Sequence, residues 1–329
     1  LSLTARITSR RMLRYADGAD LPLDRPAHIR GGSSLAWIAG GIALIQDDAN
    51  FLAIVDSESG LARGITLPAG NAGARQFDEV RGNKKYRLDL EACVAVERKT
   101  GAMLLAFGSG STRRREHVLL VKGFDQTAPD VTLFLAPRWY RSLRNVPEFC
   151  GSELNLEGAL QAGDRLRLFS RGNGAPADGV LPVNAACWVD LELLLGHLRS
   201  PEVVDPPEPI GISRYELGVL DGVPLGFTDV MAWHDSVLYS AAAEASPDSV
   251  RDGPVAGSAI GVIDADGSTR WAPITDESDE LLRVKAEGLV ADPTSASRLF
   301  IVLDADDPAA SSELCTVELE GPWVPSANG

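Results

Sequence analysis

The chain has 329 residues, 45% of them hydrophobic, enough to bury a sizeable core as one large domain or two ordinary ones. Its 46 acidic against 31 basic residues give a formal charge of −15, a field that repels phosphate backbones and anionic lipid surfaces, so nucleic acid and membranes are not expected partners. No apolar run of about 18 residues is present to span a bilayer, and LSLTARITSRRMLRY is too interrupted by Arg for a secretory leader. We expect a monomeric, cytoplasmic protein, a placement that a removed leader would change.

In chain order, TARITSRRMLRY reads first, as a strand that belongs to no complete repeat. Five segments on one plan follow: SSLAWIAGGIALIQDDANF, LEACVAVERKTGAMLLAFGSGS, LEGALQAGDRLRLFSRGNG, TDVMAWHDSVLYSAAAEASPD and AEGLVADPTSASRLFIVLDADDP. Each is a small or acidic residue, two apolar strands joined by a turn, then a polar loop. A third strand continues each repeat (FLAIVD, HVLLV, ACWVDL, SAIGVID, ELCTVEL), and a fourth completes four of them (RGITLPA, VTLFLAP, ISRYELG, TRWAPI). Four antiparallel strands per repeat is the signature of a propeller blade. The fifth repeat lacks its fourth strand, and the orphan N-terminal strand supplies it. The expected fold is therefore all-β, a five-bladed β-propeller closed by the N-terminal strand as one domain over residues 1–329, with six blades as the alternative. RSPEVVDPPEPIG falls inside the third repeat and reads as a surface loop, and LELLLGHLRS and APRWYRSLRN as short helices.

Aligning the first strands places Ser33, Glu91, Glu157, Asp229 and Glu287 at one position, spaced 58, 66, 72 and 58 residues apart. Rotation about a common axis turns equivalent positions into a ring at one mouth of the channel. The loop after each second strand lies at the same end, bringing Asp47, Asp48, Arg113, Asn173, Glu244 and Asp304 to face that ring as substrate-binding candidates. Four converging carboxylates repel one another and call for a cation, basic partners or shared protons. Of Arg113, Arg114 and Arg115, at most one is expected to point inward, with Arg171. GxxxxGK[ST] and GxSxG are both absent, which removes phosphate-loop and serine-hydrolase readings. Cys93, Cys150, Cys187 and Cys315 are scattered, as are the four histidines, so a zinc cluster is not expected.

SSLAW with QDDANFLAIVD, and the recurring LEAC, LEGA and AEGL, resemble the phytase-like or esterase-like propellers and, more distantly, the gluconolactonase-type propellers. RGNKKYRLDLEAC, GSELNLEGA, SRGNGAP, EASPDSVRDGPVAGSA and DADDP resemble an uncharacterised bacterial propeller family over nearly the whole chain. The larger group implies an axial calcium ion, with Glu91, Glu157 and Glu287 at its acidic position, Asp229 a conservative departure and Ser33 a break in the ring.

The expected function is a metal-dependent hydrolase of a small polar ester, lactone or phosphoester. Glu91, Glu157, Asp229 and Glu287 would hold calcium, since hard oxygens are on offer and soft ligands are not. Glu157 or Asp229 would take a proton from water, and Arg171 and Lys285 would bind an anionic group or steady developing charge. Two further readings stand beside it. A glycoside hydrolase needs paired carboxylates, but aromatic content is only 6%; a non-catalytic binding propeller suits the rigid ring equally well.

Overall fold

The computed structural model describes residues 2–98, 101–126, 128–251 and 253–324. Among these, almost all regular structure is β. Strand β1 (Thr4–Met12) and the short β2 (Arg14–Tyr15) precede a first unit of β3 (Gly32–Ile38), β4 (Gly41–Gln46), β5 (Phe51–Val55) and β6 (Leu61–Thr66). The second unit is β7 (Leu90–Val96), β8 (Met103–Gly108), β9 (His117–Lys122) and β10 (Asp130–Leu135). The third is β11 (Leu156–Ala162), β12 (Arg165–Ser170), β13 (Asn184–Asp190) and β14 (Ile210–Tyr215). After β15 (Val219–Leu220) comes the fourth, β16 (Val223–Trp233), β17 (Ser236–Glu244), β18 (Val255–Ile263) and β19 (Thr269–Thr275), and then β20 (Lys285–Ala291), β21 (Arg298–Asp304) and β22 (Glu313–Glu320).

Within each unit consecutive strands pair antiparallel. The last three strands gain a fourth from the other end of the chain: β1 runs antiparallel to β22 from Thr4 opposite Glu320 to Met12 opposite Glu313. A short parallel pairing of Ala5 and Arg6 with Ile274 and Thr275 of β19 merges this group with the fourth unit into one nine-stranded sheet. The first strands touch in cyclic order, β3 to β7 to β11 to β16 to β20 and back to β3.

Alternating side chains of a strand point to opposite faces, and here both faces are covered. In β4, Ile42 and Leu44 pack towards Val290, Phe300 and Val302 of the fifth group, while Ala43 and Ile45 pack with Cys93, Leu104 and Ala106 of the second unit. Equivalent apolar layers lie between units two and three, three and four, and four and five. Burial on both faces is why the strands read as near-continuous apolar runs. Helices α1 (Pro137–Arg144), α2 (Pro147–Cys150) and α3 (Leu191–Arg199) decorate the periphery. Helix α1 buries Trp139, Tyr140 and Leu143, and α3 is capped by Asp190, whose carboxylate accepts from the Leu193 amide. All four cysteines are buried free thiols. No described helix is long and apolar enough to cross a membrane.

Candidate functional site

Each unit's first strand carries one extra residue against its neighbour near its start. The register jumps between Gly32 and Ser34, Leu90 and Ala92, Leu156 and Gly158, Phe227 and Asp229, and Ala286 and Gly288. The unpaired bulge residues are thus Ser33, Glu91, Glu157, Thr228 and Glu287. A bulge re-aims a side chain out of the pleat. Glu91, Glu157 and Glu287 line one cavity of about 50 Å³, together with Ser33.

Asp229 is a correction to the sequence alignment: it lies one residue beyond the equivalent position, which Thr228 occupies. Thr228 and Ser33 use their hydroxyls alike, each donating to a carbonyl one residue before the next unit's bulge, Ala286 O at 2.5 Å and Leu90 O at 2.6 Å. Asp229 does not line the cavity. Its carboxylate accepts from Ser34 Oγ at 3.1 Å, Leu289 N at 3.0 Å, Val230 N at 2.8 Å and Leu35 N at 3.4 Å, joining the fourth, fifth and first units.

Residues two places before the bulges share their face; of these, sequence reasoning named Lys285 and missed Asp89 and Asn155. Asp89, Asn155 and Lys285 line the cavity beside Glu91, Glu157 and Glu287. Asp89, held at a positive φ of 56°, sits between two arginines: Arg87 Nε contacts one carboxylate oxygen and Arg115 Nη1 the other, the latter at 3.0 Å. Arg115 is therefore the inward member of the Arg run, and Arg113, the residue expected to bind substrate, is exposed. Arg87 also pairs with Asp47. Asp48 turns away from the cavity to Arg30 in an adjoining pocket.

On the opposite wall, Arg171 spans Glu157 at 3.4 Å and Glu244 at 2.9 Å. It passes over Gly226, where a Cβ would lie 2.8 Å from Arg171 Cγ. Asn155 donates to Glu157 Oε1 at 2.7 Å and to Asn173 at 3.2 Å. Lys285 Nζ reaches Glu287 at 3.1 Å and Asp306 at 3.4 Å. Asp304 accepts from the Gly31 amide and from Ser312 Oγ, both at 3.1 Å. Arg171, Lys285, Asp47, Asn173, Glu244 and Asp304 all line the cavity.

Burial dominates the protonation chemistry. It pushes Glu157 up to about 8, with Arg171 opposing and Glu287 adding to the rise. Glu91 is raised well above the usual carboxylate range by burial and by Asp89, Asp47 and Glu157, and Asp47 is raised by burial against the pull of Arg87. Burial and Asp306 lift Asp304 to about 6. Burial also raises Glu287, while Lys285, whose charge burial disfavours, is held cationic by Glu287, Glu244 and Asp306.

Asp47, Asp89 and Glu91 each offer one oxygen within 4.8 Å of the others, a geometry able to hold a metal ion. The donors are all carboxylate oxygens, which fits a hard cation and not a soft one.

The fold is similar to that of a solved structure. The glutaminyl cyclase of Myxococcus xanthus matches over 98% of this chain and 99% of its own, at 10% identity and a TM-score of 0.50. A glycosyl hydrolase from Bacteroides ovatus matches over 93% of this chain and 89% of its own, at 9% identity and a TM-score of 0.35. No curated protein matches the sequence. A family profile does match, from residue 28, just before the first unit, to residue 319 in the last strand, and the chain belongs to that family, the family of unknown function DUF6929.

Proposed function

We propose that the units are blades of one closed five-bladed β-propeller, and that its axial cavity is the active site of a hydrolase for a small polar ester, lactone or phosphoester. The cyclic contact of the first strands and the pairing of β1 with β22 support the ring. The observation that carries the function is the charge of the cavity. Among the described residues lining it, nine are Asp or Glu and five are Arg or Lys, a surplus that calls for bound cations or retained protons.

Both devices have candidates. Asp47, Asp89 and Glu91 would hold a divalent cation, calcium by the hardness of the oxygens. Such a cation, when bound, polarises a substrate oxygen. Glu157, still protonated at neutral pH with its carboxyl near 8, is placed to give a proton to a leaving oxygen. Glu287, steadied by Lys285, is the group to take one from water. Arg171 orients Glu157 and stands by developing negative charge. Membership of the phytase-like or gluconolactonase-type propellers belongs to this proposal too. The sugar reading has less support, because no aromatic side chain is among the described residues lining the cavity.

The test combines binding and turnover. Millimolar calcium should raise the melting temperature of chelator-treated protein, since a ligand of the folded state alone stabilises it by mass action. Asp47→Asn with Glu91→Gln should abolish the rise. On a panel of esters, lactones and phosphoesters, Glu157→Gln should cost about 100-fold or more in kcat. Unchanged melting together with no turnover would leave a non-catalytic binding module.

A further inference from the structure

Two short turns frame the second unit's side of the mouth, Lys84–Tyr86 and Arg113–Arg115. Their inner ends are the cavity residues Arg87 and Arg115. Their outer faces carry cations around one partly exposed ring: Lys85 Nζ lies 5.1 Å and Arg114 Cζ 5.4 Å from the centroid of Tyr86, which is 40% exposed. Among the described residues no carboxylate pairs with Lys85, Arg113 or Arg114. In a chain of charge −15, with many exposed arginines paired, such as Arg6 with Asp279 and Arg283 with Asp221, cations without a carboxylate partner stand out.

The interior offers the contrary arrangement. Arg87, Arg115, Arg171 and Lys285 each lie against at least one carboxylate, and acids outnumber bases around them. A substrate's anionic group would find the interior side-chain cations already engaged by carboxylates and unpaired cations at the entrance. Resting on the hydrolase reading, we infer that the substrate is a neutral ester or lactone carrying a carboxylate or phosphate away from the reacting bond. The anionic oxygens dock at the rim on Lys85 and Arg114 while the neutral end enters the cavity.

The rim is tested without knowledge of the substrate. Calorimetric titration of the whole chain at low ionic strength, once with inorganic phosphate and once with succinate, should show binding of at least one, and the tighter arm identifies the anionic group. Lys85→Gln with Arg114→Gln should weaken that binding about tenfold, the scale of one charge-assisted hydrogen bond. Arg138→Gln, whose exposed guanidinium pairs with Asp205 elsewhere, should match the parent chain. No binding by the parent, or equal binding by the double variant, overturns the inference. On carboxylated esters or lactones the double variant should raise KM with kcat unchanged and leave neutral ones unaffected; an equal KM effect on both also overturns it. Loss of anion binding in a protein that hydrolyses nothing would uphold the rim and remove the hydrolase reading, so the two failures are distinct.

Discussion

Glu157 and Asp229 are both carboxylates on first strands, both at least nine-tenths buried and both raised in pKa chiefly by burial, yet they belong to different layers of the axis. Asp229 lies in the layer below the mouth, where its neighbours are backbone amides and one serine hydroxyl from three units. That layer is tight: a Cβ on Gly288 would lie 2.9 Å from Leu35 N. Glu157 lies in the mouth, where its neighbours are charged side chains and a cavity. Burial alone therefore does not mark a reactive group. A carboxylate saturated by fixed amides holds three units together, whereas one balanced among movable charges can exchange a proton.

The largest effect that separates the layers is expected from Asp229→Ala. It orphans the Leu35 and Leu289 amides and weakens the anchoring of Ser34, at about 1 to 3 kcal/mol for each buried donor left unmade, so a loss of about 3 to 5 kcal/mol is expected. A fall in the urea midpoint at constant m-value would record it. At pH 5, where Glu157 is protonated in the folded state, Glu157→Gln should stay within about 1 kcal/mol of the parent in the same experiment. Equal losses in the two variants would break the comparison.

Gly226→Ala should act next, and through Arg171. The guanidinium is held by Glu157 and Glu244, so a new Cβ 2.8 Å from Cγ and 3.0 Å from Nε cannot be accommodated by swinging the side chain freely. Overpacking of this kind costs about 1 to 3 kcal/mol. Displacement of Arg171 would also remove a group that lowers the Glu157 pKa, so the carboxyl should titrate at higher pH in the variant, as seen by carbon-detected NMR of labelled Glu. An unmoved titration would mean that Arg171 does not tune Glu157.

The repeat was legible because inner strands such as β4, β5, β8 and β17 are buried on both faces, which makes similar apolar runs stand out. The acid position was legible in three repeats, where Glu91, Glu157 and Glu287 are each followed by a small residue, Ala92, Gly158 or Gly288. It failed in TDVMAW, where Thr228 and Asp229 are adjacent and the acid drew the alignment one residue too far. The small-residue rule points to neither, because Asp229 itself stands at the position that Ala92, Gly158 and Gly288 occupy in the other units. Asp89 was missed although it stands two residues before an identified acid, the spacing that shares a face in a strand, as Lys285 does before Glu287. Arg87 and Arg115 were less readable, since the loops that turn them inward leave no periodic signal and Arg113 and Arg114 offer the same chemistry next door.

The pH dependence of stability is the most direct probe of the mouth. Glu157 has its folded pKa raised from the ordinary 4.5 to about 8, so between those values the folded state binds more protons than the unfolded one. Stability must then fall as pH rises through that window, the contribution being fully present below 4.5 and lost above 8. The groups facing Glu157 are Arg171 and Lys285, which oppose the shift, Glu287, which adds to it, and Asn155, which donates to Oε1. Asp304 contributes with the same sign, but only from 3.8 to about 6. Glu91, Asp47 and Glu287 also shift upward. Glu157→Gln should therefore reduce the slope without erasing it, and the difference between the two curves above pH 6 belongs to Glu157. Urea midpoints at successive pH values from 5 to 8.5 measure it. Parallel curves for the parent and Glu157→Gln would mean that Glu157 is ionised at neutral pH, and would take the proton donor out of the mechanism while leaving the cation site untouched.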